Sequence, residues 1–308
     1  MVFQITLQQM IILFLFMAVG FGMMKRKMLT ENAAAVLSKL LVTAFLPCMV
    51  FKTFATNLNP GNVMSKLPLF LISAVNVSIS CLIAMLIARP LAKDRMTKNI
   101  YIYSLTVPNM GYMGYPIVGA VLGEMMLLDF MVVAIPSNLF IYTAGMYMLN
   151  PNREFSFKKI LNPPMIAMLI GILFGVCSIP VPEVMLSAAT SASNCMAPCA
   201  MLLTGFVLAK QPLGAMFVQA KSYLISAVKL IVFPLVGFFL MRLLGAPQQA
   251  VILCTIALAL PFGLNSVVFP EAFGGDSTPG ARLCFIGNLM ALLTIPVVFW
   301  LLSMVYGI

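Results

Sequence analysis

The chain has 308 residues, of which 62% are hydrophobic and 8% charged, with a mean hydropathy of +1.07. A soluble domain carries roughly 25% charged residues, so this composition excludes a soluble enzyme, a nucleic-acid binder and a disordered chain. Eighteen lysines and arginines against eight acids give a net charge of +10, which fits the cationic loops of a polytopic membrane protein better than a nucleic-acid surface.

Ten apolar spans are expected in chain order, over residues 3–24, 32–55, 66–89, 99–122, 126–149, 161–179, 184–209, 219–244, 248–272 and 280–305. Each is close to the roughly 20 residues needed to cross a bilayer as a helix. The first follows no basic segment and precedes no small-residue cleavage site, so it reads as a span rather than a signal peptide. The longest polar connection is the short stretch 150–160. Loops after odd spans hold Lys25, Arg26, Lys27, Arg89, Lys93, Arg95, Lys98, Arg153, Lys158, Lys159, Lys210, Lys221 and Arg282; loops after even spans hold only Lys52, Lys66 and Arg242. The positive-inside rule then puts the odd loops and the 150–160 connection in the cytoplasm and both termini outside; the expected location is the plasma (cell inner) membrane.

The two halves repeat. Leu71-Ile-Ser-Ala-Val75 recurs as Leu224-Ile-Ser-Ala-Val228, at an offset of 153. Phe21-Gly22 matches Phe174-Gly175, Pro47-Cys48 matches Pro198-Cys199, Pro108 matches Pro261, and Gly123 matches Gly275. Residues 1–149 and 161–308 are thus read as two five-span repeats. An odd number of spans inverts the second repeat in the membrane, a common device of secondary transporters. The expected fold is all-α, ten transmembrane helices in an inverted 5+5 arrangement.

Spans 4 and 9 carry the chemistry. Span 4 reads Thr106-Val-Pro108-Asn109-Met-Gly111-Tyr112-Met-Gly114-Tyr115-Pro116; span 9 reads Leu260-Pro261-Phe-Gly263-Leu-Asn265-Ser-Val-Val-Phe-Pro270. Proline removes a backbone donor and breaks the helix ladder. Unwound backbone at membrane depth must face protein or a watery cavity. Two matching spans that unwind would meet at one polar site, where half-helix N-termini suit an anion. Asn109 and Asn265 can donate hydrogen bonds to a carboxylate without a buried charge. Pro108, Gly111, Gly114, Pro116, Pro261 and Gly263 complete the expected substrate site; the competing reading is a pair of simple packing kinks.

Lys229 lies inside span 8 and corresponds to Asn76 in span 3. A charge at that depth costs about 2.5–3.5 kcal/mol or more. It reads either as a fixed cation in place of a coupling ion or a proton-sensitive group, or as a snorkelling or helix-end contact. Asp129 in span 5 is expected to pair with a lysine or sit at the interface. Asn138, Asn194, Asn288, Tyr112 and Tyr115 fit cavity lining and inter-helix contacts equally.

There is no histidine, which removes His-dependent zinc and haem sites, Ser/His proteolysis and His proton relays. The seven cysteines lie in apolar stretches and read as small apolar residues; the one-turn spacing of Cys195 and Cys199 is a weak metal signal. No catalytic residue, metal or cofactor is expected.

The Asn109–Pro116 stretch, Pro261-Phe-Gly-Leu-Asn265 and Leu293-Thr-Ile-Pro296 resemble the auxin efflux carrier family over essentially the whole chain. The resemblance implies an organic-anion substrate, a homodimer, and a fold similar to the bile acid:sodium symporters. Spans 1, 2, 6 and 7 would form a scaffold. Spans 3–5 and 8–10 would form a transport domain with spans 4 and 9 crossing at the substrate. The long cytoplasmic loop of many plant PIN carriers is missing, which resembles a prokaryotic member. The symporters' sodium sites have no clear counterpart; Glu271, beside Pro270, is the nearest acid in span 9. The expectation is a secondary carrier of mono- or dicarboxylates in a lipid bilayer, with a channel or a transporter-like sensor as alternatives.

Overall fold

The computed structural model describes residues 2–150, 161–210, 219–272 and 274–307, together with Gly214 and Phe217. The Glu271 side chain and the 150–160 connection beyond Asn150 lie outside the described residues. The chain is helical throughout, with no β-strand among the described residues.

In order the helices are α1 (Val2–Lys25), α2 (Ala33–Asn57), α3 (Met64–Leu91), α4 (Arg95–Thr106), α5 (Met110–Leu122), α6 (Glu124–Leu149), α7 (Pro163–Val176), α8 (Glu183–Ala209), α9 (Ala220–Leu243), α10 (Gln248–Ala259), α11 (Asn265–Ala272) and α12 (Thr278–Tyr306). Seven of them, α1, α2, α3, α6, α8, α9 and α12, are long and apolar enough to cross a membrane; α5, α7 and α10 are shorter apolar helices. This is a polytopic membrane protein. α4 opens on an Asp94 cap: Thr97 donates to the Asp94 carboxylate from its backbone N–H at 2.8 Å and its hydroxyl at 2.6 Å. These bonds, the hydroxyl's foremost, hold the Asp94 carboxyl below its usual range.

Glycines let two helix pairs touch backbone to backbone. A Cβ on Gly20 of α1 would sit 2.4 Å from the Leu202 carbonyl oxygen of α8, and one on Gly205 would sit 2.2 Å from the Met17 carbonyl oxygen. Gly171 and Gly175 of α7 meet Phe51, Phe54 and Leu58 at the end of α2 in the same way. With lipid as solvent, such close approach is a main source of helix association. Elsewhere α3 packs on α4 and α6, while α9 packs on α10 and α12.

Polar contacts gather the helix ends. Asp129 of α6 is fully buried, with Lys66 Nζ of α3 at 2.5 Å in a contact ion pair that is off the hydrogen-bond axis. Gln249 of α10 donates to the other carboxylate oxygen. The lysine partner expected for Asp129 is therefore Lys66. At the opposite end, Lys221 of α9 donates to the Leu91 carbonyl at 2.9 Å, and Asn99 of α4 to the Met148 carbonyl at 2.8 Å.

Candidate functional site at the helix crossing

The helix is interrupted in both stretches rich in proline. α4 stops before Val107, which is extended at φ −104° and ψ 107° ahead of Pro108. α10 stops before Leu260, extended at φ −70° and ψ 146° ahead of Pro261. Proline disfavours helical backbone in the residue before it. The two extended pieces lie antiparallel and form a single bridge between Pro108 and Phe262. Asn109 N–H donates to the Pro261 carbonyl at 2.9 Å, and Gly263 N–H to the Val107 carbonyl at 3.4 Å. In this pairing pattern the bridged residues bond through their neighbours. Neither proline is asked for the N–H it lacks, and backbone freed by the breaks is satisfied inside the protein.

The crossing has its own two-fold register. Exchanging Val107, Pro108 and Asn109 for Pro261, Phe262 and Gly263 maps the two bonds onto each other. That step is one residue longer than the Pro108-to-Pro261 match in sequence. In the structural register Asn109 faces the place of Gly263, and Asn265 the place of Gly111. The two asparagines are therefore not equivalent.

Asn109 is 4% exposed, and its side-chain Nδ2 has no partner. Its carbonyl accepts from Met113 and Gly114 N–H at 3.3 and 3.0 Å, which starts the π-helical first turn of α5. Asn265 is half-buried and opens α11 beside the Tyr103 hydroxyl, without closing a hydrogen bond of normal geometry. Tyr103 is a residue that sequence reasoning missed; its signal would have been a tyrosine one turn ahead of the break. Positive ends of α5 and α11 and negative ends of α4 and α10 thus converge here.

The remaining expected residues divide between lining and packing. Gly111 faces open space and lines a cavity of about 60 Å³ with Tyr115, Asn138 and Tyr142. Gly114 is a packing position, since a Cβ would meet Leu260 at 2.6 Å and Phe130 at 2.8 Å. A Cβ on Gly263 would make only ordinary contact with the Val107 carbonyl oxygen, at 3.6 Å. Pro116 sits in the first turn of the regular part of α5, where a missing N–H is cheap.

Two crevices flank the crossing. One, of about 440 Å³, lies between α2, α8 and α11 and is lined by Ser38, Lys39, Thr43, Lys210 and Val268. Ser38 reaches Tyr112, two residues from Gly114 and three from Asn109. The other, of about 270 Å³, runs between α1, α2, α5 and α8 and includes Gln9, Pro116 and Asn194. Lys52 of α2 and Glu124 of α6 both line it and pair across it at 3.1 Å.

The family model described as membrane transport protein matches residues 5–299. The chain belongs to the auxin efflux carrier family. No curated protein matches the sequence. The carrier family accounts for the composition and the apolar helices with one assignment: membrane transport.

Within this carrier, Lys229 of α9 is fully buried. Its Nζ donates to the Leu105 carbonyl at 3.0 Å and lies 5.2 Å from the centroid of the Phe233 ring. Leu105 is in the last turn of α4, whose carbonyls have no helical partner. The Lys229 amine therefore meets the negative end of a broken helix, in a π-helical turn over Val228–Val232. It does not snorkel. Asn76, its sequence counterpart in α3, contacts Cys254 of α10, the first half of the other broken pair.

Proposed function

We propose that this carrier is a secondary transporter of small organic anions, mono- or dicarboxylates, working by alternating access. The single observation that carries the reading is the buried, unpartnered Nδ2 of Asn109 beside the starts of two half-helices. An unpaired buried amide donor is costly, and an arriving carboxylate oxygen would satisfy it. The helix N-termini would supply the compensating positive field. Lysines 39 and 210 in the neighbouring crevice favour the same sign of ligand.

In this reading ten spans form two inverted repeats, 1–149 and 161–308. The glycine-mated pairs α1–α8 and α2–α7 act as the scaffold, consistent with exchange of the first two spans of each repeat. The remaining helices form the moving unit, with Asn109 as the principal ligand and Asn265, Gly111 and Gly263 lining the path. Pro108 and Pro261 keep the backbone open, while Gly114 and Pro116 position the first turns of α5. Lys229 ties α9 to the end of α4 behind the crossing, with Asn76 as its sequence counterpart on α3. The basic loops face the cytoplasm of the plasma membrane and both termini face outside.

The test is uptake of labelled malonate, malate and indole-acetate into proteoliposomes under a membrane potential, a pH gradient and a sodium gradient imposed separately. Saturable uptake driven by one gradient supports the reading. Unitary conductance without saturation would make the protein a channel and overturn it.

A further inference from the structure

An apolar groove of about 460 Å³ runs between α9 and α12, away from the crossing. Leu230, Pro234 and Phe238 form one wall, and Leu293, Val297 and Leu301 the other. It faces outward, with Leu293 at 67% and Leu301 at 43% exposure. From Leu293 to Val305 it follows α12 for a rise of roughly 18 Å at about 1.5 Å per residue. That is close to one leaflet of a hydrocarbon core about 30 Å thick.

One end of the groove is charged. Arg242, in the last turn of α9, holds its guanidinium 5.9 Å from the Phe238 ring centroid and 6.0 Å from that of Tyr306. The two rings pack edge to face at 6.2 Å. Arg242 is exposed, and no acid pairs with it among the described residues. An aromatic pair under an arginine at a helix end is the arrangement expected at the membrane–water interface. Guanidinium matches phosphate geometry through two parallel donors.

We infer that this groove binds one membrane phospholipid, its acyl chain between α9 and α12 and its phosphate on Arg242. In a bilayer the groove has no other solvent than acyl chains, and the cation fixes which end the headgroup takes. The groove runs along α9, which carries Lys229, and α12, whose Gly287 meets Phe262 of the crossing, so a bound lipid would brace α9 against α12.

The experiment reconstitutes the full chain in phosphatidylcholine vesicles containing a trace of phosphatidylglycerol with a photoactivatable acyl chain, and maps adducts by mass spectrometry. Adducts are expected on Phe238 and Leu301 well above those on Leu15 and Val19, exposed residues of α1. Arg242→Gln should lower the groove adducts roughly tenfold, the scale of one charge-assisted contact, and leave those on α1 unchanged. Val297→Trp, which fills the groove, should abolish them with Arg242 intact. A photoactivatable diacylglycerol, lacking the phosphate, should label the groove no better than α1. Equal labelling of both faces, or groove adducts indifferent to Arg242→Gln in protein of unchanged Tm, would overturn the proposal.

Discussion

Asn109 donates its backbone N–H to the carbonyl of Pro261 at 2.9 Å. This bond and its partner from Gly263 to Val107 join the two halves of the chain where both helices are broken. The Phe262 side chain anchors the joint. It is fully buried, and Gly287 of α12 leaves room for its ring, since a Cβ there would lie 2.5 Å from it. Phe262→Ala should cost about 3–5 kcal/mol, read as a lowered Tm in detergent. Gly287→Val should also destabilise, by forcing the ring out of place.

Two glycines on α1 separate packing from composition. Gly20→Ala pushes a methyl into the Leu202 backbone, where neither side can yield by rotamer change, and should cost about 1–3 kcal/mol. Gly22→Ala meets nothing within 4 Å and should stay within about 0.5 kcal/mol. Equal melting temperatures for the two variants would contradict the backbone contact between α1 and α8.

The Lys66–Asp129–Gln249 cluster ties the starts of α3, α6 and α10. Asp129→Asn leaves Lys66 without its counter-charge. The loss should be about 1–3 kcal/mol, moderated because Lys66 keeps some contact with solvent. Combining it with Lys66→Met should recover part of the loss. A double-mutant cycle checks this, and additive losses would mean the pair is not coupled.

Asp94 gives a pH signature outside the apolar spans. Its folded-state carboxyl is held below the unfolded value by Thr97. Its contribution is therefore present above the unfolded pKa, about 3.9, and is lost as pH falls through the folded value. Asp94→Asn should keep the cap and remove the acid dependence at that site. The check is Tm against pH for the two proteins between neutral and strongly acid conditions.

Much of this was legible in the sequence because proline and charge carry their physics with them. Pro108 and Pro261 have no N–H, so a break at each followed directly. Asp129 in an apolar run implied a basic partner, although nothing local pointed to Lys66 or to Gln249. The register of the crossing could not be taken from the repeat. Aligning the prolines pairs Pro108 with Pro261, while the bridge pairs Pro108 with Phe262. Phe262 itself is one of 23 phenylalanines, and no residue pattern marks the one at the crossing. The acceptor of Lys229 was illegible for a different reason: it is the Leu105 backbone carbonyl, and any residue supplies one. Tyr103 escaped because a tyrosine in an apolar helix has packing and interface uses as well.

The central claim is that the Asn109 side chain, left unpartnered at the crossing, receives the transported anion. The direct measurement is counterflow of labelled malonate, malate and indole-acetate in proteoliposomes holding wild type or Asn109→Ala at matched Tm. Wild type is expected to concentrate at least one of the three, and the variant to lose that counterflow by roughly tenfold or more, the scale of one hydrogen bond to a charged ligand. Wild-type counterflow matched by a well-folded Asn109→Ala would contradict the account.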